Sequence, residues 1–135
     1  MAAKKQERSE THQRFPSGDW EGFYTYASGP QAEKHQMQCQ LNFKAGRIHG
    51  VGNDDVGPFS WKGAYNKQLM ECAMTKTYRS KAPVKYQGYV DENGIWGTWT
   101  IGQLATGGFH LWPKATAQQK EHKEKASKKR TMVGG

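Results

Sequence analysis

Apolar and polar residues alternate with a period of two through the middle of the chain. The clearest stretch is Met37-Gln38-Cys39-Gln40-Leu41-Asn42-Phe43-Lys44, where every odd position is apolar and every even one polar. Such alternation turns one face of a strand to a core and the other to water. Eight segments of this kind are predicted, at about 19–26, 35–44, 47–52, 58–65, 68–78, 83–90, 95–101 and 108–112. Short connections rich in Gly, Asn and Asp follow the second, fourth and sixth segments: Lys44-Ala45-Gly46, Tyr65-Asn66-Lys67 and Asp91-Glu92-Asn93-Gly94. Hairpins need those residue types. The connections after the first, third, fifth and seventh segments read as longer, the last running from Gly102 through Gly107. An up-and-down meander gathers the short turns at one end and the longer loops at the other, which is the asymmetry of a cup.

The predicted inward positions mix bulky residues with glycine. They include Trp20, Gly22, Tyr24 and Tyr26 in the first segment, Ile48, Gly50 and Gly52 in the third, and Phe59, Trp61, Gly63 and Tyr65 in the fourth. Inward glycines let a sheet bend sharply and make room beside large rings. A sandwich accounts for the alternation, but a closed barrel accounts also for the glycines. The fold class expected is therefore all-β: a single small antiparallel up-and-down β-barrel of about eight strands spanning 18–114. The stretches 1–17 and 115–135 show no periodic apolar face and are expected to be disordered basic tails.

Charge sharpens that division. Of the net +8, the first 17 residues contribute +2 and residues 115–135 contribute +4, so the central part is nearly neutral. Polyanion binding is thus expected through the tails alone, where Lys128-Lys129-Arg130 reads as a nuclear address, a nucleic-acid tether or a merely solvated run. No apolar run reaches membrane-spanning length and the first residues lack a secretory h-region, so the expected address is intracellular, cytoplasmic by default. Cys39 and Cys72 form no CxxC pair and are expected to be buried free thiols. No cofactor or metal is expected. Asn53-Asp54-Asp55 lacks the spaced oxygens of a calcium loop and reads as a turn, and His49 and His110 alternate outward.

The chain resembles the calycin barrels, the lipocalin and avidin type. The likeness rests on Gly18-Asp19-Trp20, which looks like the Gly-x-Trp opening of a first strand, on the eight-strand meander, and on the late Gly97-Thr98-Trp99. The resemblance implies a barrel with an open end and makes Trp20 the plug of its floor. It does not carry a ligand with it. The last strand, Gly108-Phe109-His110-Leu111-Trp112, has no Arg of the lipocalin kind, no inward Arg pair matches the fatty-acid binders, and an avidin-like biotin site does not map onto these residues.

One group of residues invites a binding function. Lys76 is the only charge on the predicted inward face, and it falls at the end of the fifth segment with Tyr78. Tyr24 and Tyr26 end the first segment, Tyr86 begins the sixth and Trp99 ends the seventh, all at the loose end of a meander. Phenols, an indole and an ammonium converging there can hold a small anionic or planar ligand. The alternative is that Lys76 snorkels from the rim and the tyrosines are core. An enzyme using Lys76 as acid, base or Schiff-base donor beside a tyrosine is a further alternative. On the outward face Trp96 and Trp112 are expected to lie near each other as a patch for self-association or a protein partner. The leading expectation is a non-enzymatic binding module.

Overall fold

The computed structural model describes residues 10–26 and 32–114. Its strands are β1 (Gly18–Thr25), β2 (His35–Lys44), β3 (Arg47–Asp54), β4 (Pro58–Asn66), β5 (Glu71–Tyr78), β6 (Val84–Asp91), β7 (Gly94–Ile101) and β8 (Ala105–Pro113). Each pairs antiparallel with its neighbour in sequence, and β8 closes on β1, so the sheet is an eight-stranded barrel without free edges. Closure satisfies the backbone ladder of every strand, and the alternation puts one side chain in two inside. Met37, Cys39, Leu41 and Phe43 of β2 are all buried while their even-numbered neighbours are exposed. Among the described residues no helix is long and apolar enough to cross a membrane.

Three strand limits differ from the sequence pattern, each for a local reason. β3 runs on to Asp54, because its ladder with β2 continues through Met37 and Asp54. β5 begins only at Glu71, since the Asn66 side chain accepts hydrogen bonds from the backbone N–H of Gln68 and Leu69 and makes the preceding residues a turn. β8 begins at Ala105, paired with Ile101, so the predicted long loop from Gly102 to Gly107 is a tight one. The longer connections at the open end are therefore those between β1 and β2 and between β5 and β6.

The interior is packed rather than hollow. Trp61, Tyr86, Phe43, Met37, Leu41 and Ile48 fill it and are all at most 2 % exposed. Gly52 shows how tightly: a Cβ there would sit 2.5 Å from the Cβ of Cys39 and 2.7 Å from Cζ of Phe59. Cys39 and Cys72 are buried and unpaired. Burial pushes their thiols up to about 11 and about 12, keeping them protonated at neutral pH.

The closed end is built partly by residues expected to be tail. Segment 10–17 folds under the barrel, so the ordered unit starts ahead of Gly18. Phe15 is wholly buried, with its ring 4.7 Å from that of Tyr65 and 5.5 Å from that of Phe43. Trp20 is buried at this end, and its indole N–H donates to the Pro16 carbonyl at 2.8 Å. Ser17 Oγ accepts from the backbone N–H of Phe43 at 2.9 Å, and the Glu10 N–H donates to the Phe43 carbonyl at 2.8 Å. A lone Phe has no period, so alternation could not find it. Residues 1–9 and 115–135, and with them the rest of the expected tails, lie outside the described residues.

Glu10 fastens this segment. Its carboxylate accepts from Tyr65 Oη at 2.7 Å and from Lys67 Nζ at 3.1 Å, and the Tyr65 hydrogen bond is the main reason its pKa falls from 4.5 to about 2. A depressed carboxylate contributes stability in full above its unfolded pKa, and loses it as pH falls through the folded value. Glu10→Gln should therefore flatten the loss of stability between pH 4.5 and about 2 relative to wild type. Chemical denaturation across that range checks this, and parallel curves for the two proteins would show that Glu10 does not hold the segment.

Candidate functional site

At the open end, five aromatic side chains surround a pocket of about 270 Å³: Tyr24 of β1 and Tyr26 just after that strand, Tyr78 of β5, Tyr86 of β6 and Trp99 of β7. Val56, Lys81, Ala82, Val84 and Ile101 complete its walls. The meander brings these together because the ends of β1, β5 and β7 and the start of β6 share one rim. Tyr24, Tyr78, Tyr86 and Trp99 are buried, whereas Tyr26 is 58 % exposed and stands at the entrance. The rings brace one another: Tyr26 meets Trp99 edge-on at 5.3 Å and Tyr24 at 5.8 Å. Trp99 is fixed further by its indole N–H, which donates to the Thr25 carbonyl at 2.9 Å. It lies across Gly107, where a Cβ would come within 2.6 Å of Nε1 and 1.8 Å of the Thr25 carbonyl oxygen.

Lys76 points inward but does not line the pocket. It is 0 % exposed and lies a layer beneath, so it does not snorkel. Its ammonium donates to Asp54 Oδ2 at 2.6 Å and to Tyr86 Oη at 3.1 Å, with Met37 Sδ at 3.5 Å. Five rings surround it, with centroids from 4.4 Å (Phe59) to 5.6 Å (Trp61). Burial lowers the Lys76 pKa, and the Asp54 carboxylate opposes that shift.

The sequence pattern places Asp54 in a turn. It is in the turn: Oδ1 accepts from the N–H groups of Val56 at 2.9 Å and Gly57 at 3.2 Å. Its other oxygen enters the barrel and accepts from Lys76 and from the Tyr78 hydroxyl. The side chain has no exposure, so Lys76 is not the only inward charge. All four contacts use carboxylate lone pairs, the role of the ionised form. The signal was in the alternation itself, because Ile48, Gly50 and Gly52 lead with period two to position 54.

Asp55 organises the rim beside it. It accepts from Tyr24 Oη at 2.5 Å and is 2.6 Å from His35 Nδ1, while the His35 ring stacks on Tyr24 at 4.9 Å. Burial opposes the charge on Asp55, but the bonds from Tyr24 and His35 outweigh it and hold the pKa below the usual value. The phenols of Tyr24, Tyr78 and Tyr86 move the other way. Burial is the main cause in each, and neighbouring carboxylates add to it, so all three stay protonated.

On the outer wall each tryptophan has its own aromatic neighbours. Trp96 is 45 % exposed and pairs with Tyr89, ring centroids 5.7 Å apart, while its N–H is held by Asp91 at 3.0 Å. Trp112 is half-buried and packs instead on His110 and Phe23. His110 stands across from Trp96 in the β7–β8 ladder, and Trp112 follows two residues along the same outward face. Comparison with protein-family models, with curated proteins and with solved structures finds no match for this chain.

Removing one partner of the buried pair should be costly. Lys76→Met strands the Asp54 carboxylate and should lower unfolding free energy at pH 7 by about 3–5 kcal/mol, the usual cost of an uncompensated buried charge. Lys76→Met with Asp54→Asn should recover most of that loss, since Asn keeps an oxygen for the turn. Urea unfolding measures both, and a neutral or stabilising single substitution would mean that Lys76 reaches solvent.

Proposed function

We propose that this chain is a non-enzymatic binding module, a calycin-like barrel that receives a small planar ligand at its open end. The observation that carries the reading is the convergence of five aromatic side chains on one open pocket whose polar support is already fixed from behind. Ring faces supply contact area at low entropic cost, and a rigid second layer avoids reorganisation on binding. The volume sits at the lower edge of the range for small-molecule sites, which favours a ligand of one or two fused rings.

The geometry redirects the idea of Lys76 as the anion-holding group. Its ammonium already has Asp54 and Tyr86 as partners and no exposure, so it supports the rings from below. The same enclosure weighs against Lys76 as a Schiff-base or proton-transfer residue, because no substrate atom can approach Nζ without opening the barrel.

A second reading, a protein partner on the outer wall, rests on Tyr89 and Trp96. They border a shallow depression of about 690 Å³ floored by Ala64, Ala73, Gly88 and Gly97.

The two readings are separated by titrating a library of flat one- and two-ring compounds while following backbone and indole N–H resonances. Binding at the mouth should move Trp99 Nε1–H, Val84 and Ile101 and leave Trp96 in place. Shifts confined to Trp96 and Tyr89, or none at millimolar compound, would refute the mouth as the binding site.

A further inference from the structure

We infer that the planar ligand of the mouth carries an anionic group, a carboxylate in the simplest case, and that Lys81 sets this charge preference. The inference rests on the proposed mouth site and adds the chemical class of its ligand. The hydrogen-bonding groups around the pocket divide into those already engaged and those left free among the described residues.

Most are engaged. The Tyr24 proton goes to Asp55, the Tyr78 proton to Asp54 and the Trp99 N–H to the Thr25 carbonyl. Both carboxylates are taken as well. Asp54 serves Lys76, Tyr78 and two backbone N–H groups, and Asp55 serves Tyr24 and His35. Asp54 is thus engaged inside the barrel, and Asp55, half exposed at the rim, turns its oxygens to Tyr24 and His35.

What remains is chiefly donors. The Tyr86 hydroxyl accepts from Lys76 at 3.1 Å, and among the described residues its own proton has no acceptor, although the side chain is only 2 % exposed. Tyr26 Oη, at the entrance, is free among the described residues. Lys81 lines the pocket from the β5–β6 connection, and no described carboxylate lies within 4.0 Å of its ammonium. A buried donor left without an acceptor is costly, and a ligand oxygen facing Tyr86 removes that cost. A full positive charge at the rim then favours an anion over an equally flat neutral or cationic molecule. The body of such a ligand lies against Trp99, Tyr24 and Val84, with its charge toward Lys81.

Three probes of one shape test this: 2-naphthoate, its neutral primary amide and 2-naphthylmethylammonium. Each is titrated by calorimetry and by the Trp99 Nε1–H resonance into the full chain and into Lys81→Met, whose exposed side chain can change without disturbing the core. Naphthoate should bind tightest and the ammonium weakest. Lys81→Met should weaken naphthoate about fivefold, as expected for one partly exposed charge pair, and weaken the amide distinctly less. Equal affinity for naphthoate and amide, a preference for the cation, or an equal loss of both in Lys81→Met would overturn the charge assignment while the mouth reading stands. If none of the three moves Trp99 Nε1–H, the mouth reading itself falls, and the charge assignment with it.

Discussion

Two opposite charges, Asp54 and Lys76, meet inside the barrel at 2.6 Å with almost no solvent contact, and the architecture of the open end follows from holding them there. Desolvating an ion pair costs more than its attraction returns unless the remaining donors and acceptors are also satisfied. Here they are. Asp54 divides its oxygens between the β3–β4 turn and the interior, and Lys76 divides its protons among Asp54, Tyr86 and the Met37 sulfur. One contact thereby ties β2, β3, β5 and β6 together at the level where the rings of the mouth begin. An apolar pair of equal volume would fill the space as well, so what the ions add is position: each points one phenol, Tyr78 or Tyr86, in a single direction.

The two ends of the barrel are finished differently, and this decides where a ligand has room. Phe15, Trp20, Phe43 and Tyr65 close one end as a packed aromatic plug, fastened by Glu10. The middle is filled by Trp61 and its neighbours. Only above the Lys76 layer does the packing stop short, leaving the mouth pocket. The barrel is therefore solid, with a shallow pocket at its rim rather than a deep cup.

Much of this was legible in the chain. Period-two alternation located all eight strands, because a closed barrel buries one face of each strand and wets the other. The same alternation brought Tyr24, Tyr26, Tyr78, Tyr86 and Trp99 to one rim, since side-chain direction and strand end are both fixed by a meander. Other features were hidden for physical reasons. Asp54 sits in Asn53-Asp54-Asp55-Val56-Gly57, a run with the composition of a turn, and it serves both the turn and the core. Phe15 acts through one ring from an aperiodic segment. Lys81 reaches the pocket wall through where the β5–β6 connection falls, which spacing does not encode.

Lys76 is a buried ammonium bonded to Asp54 beneath the mouth. Nitrogen-15 spectroscopy of lysine side chains reads this directly at pH 7. One Nζ resonance should show an ammonium with slowly exchanging protons and through-space contacts to the Tyr86 and Phe59 rings, and Asp54→Asn should shift it more than any other lysine. If every lysine ammonium exchanges rapidly with water and none responds to Asp54→Asn, the ion pair does not exist and the account of the mouth fails with it.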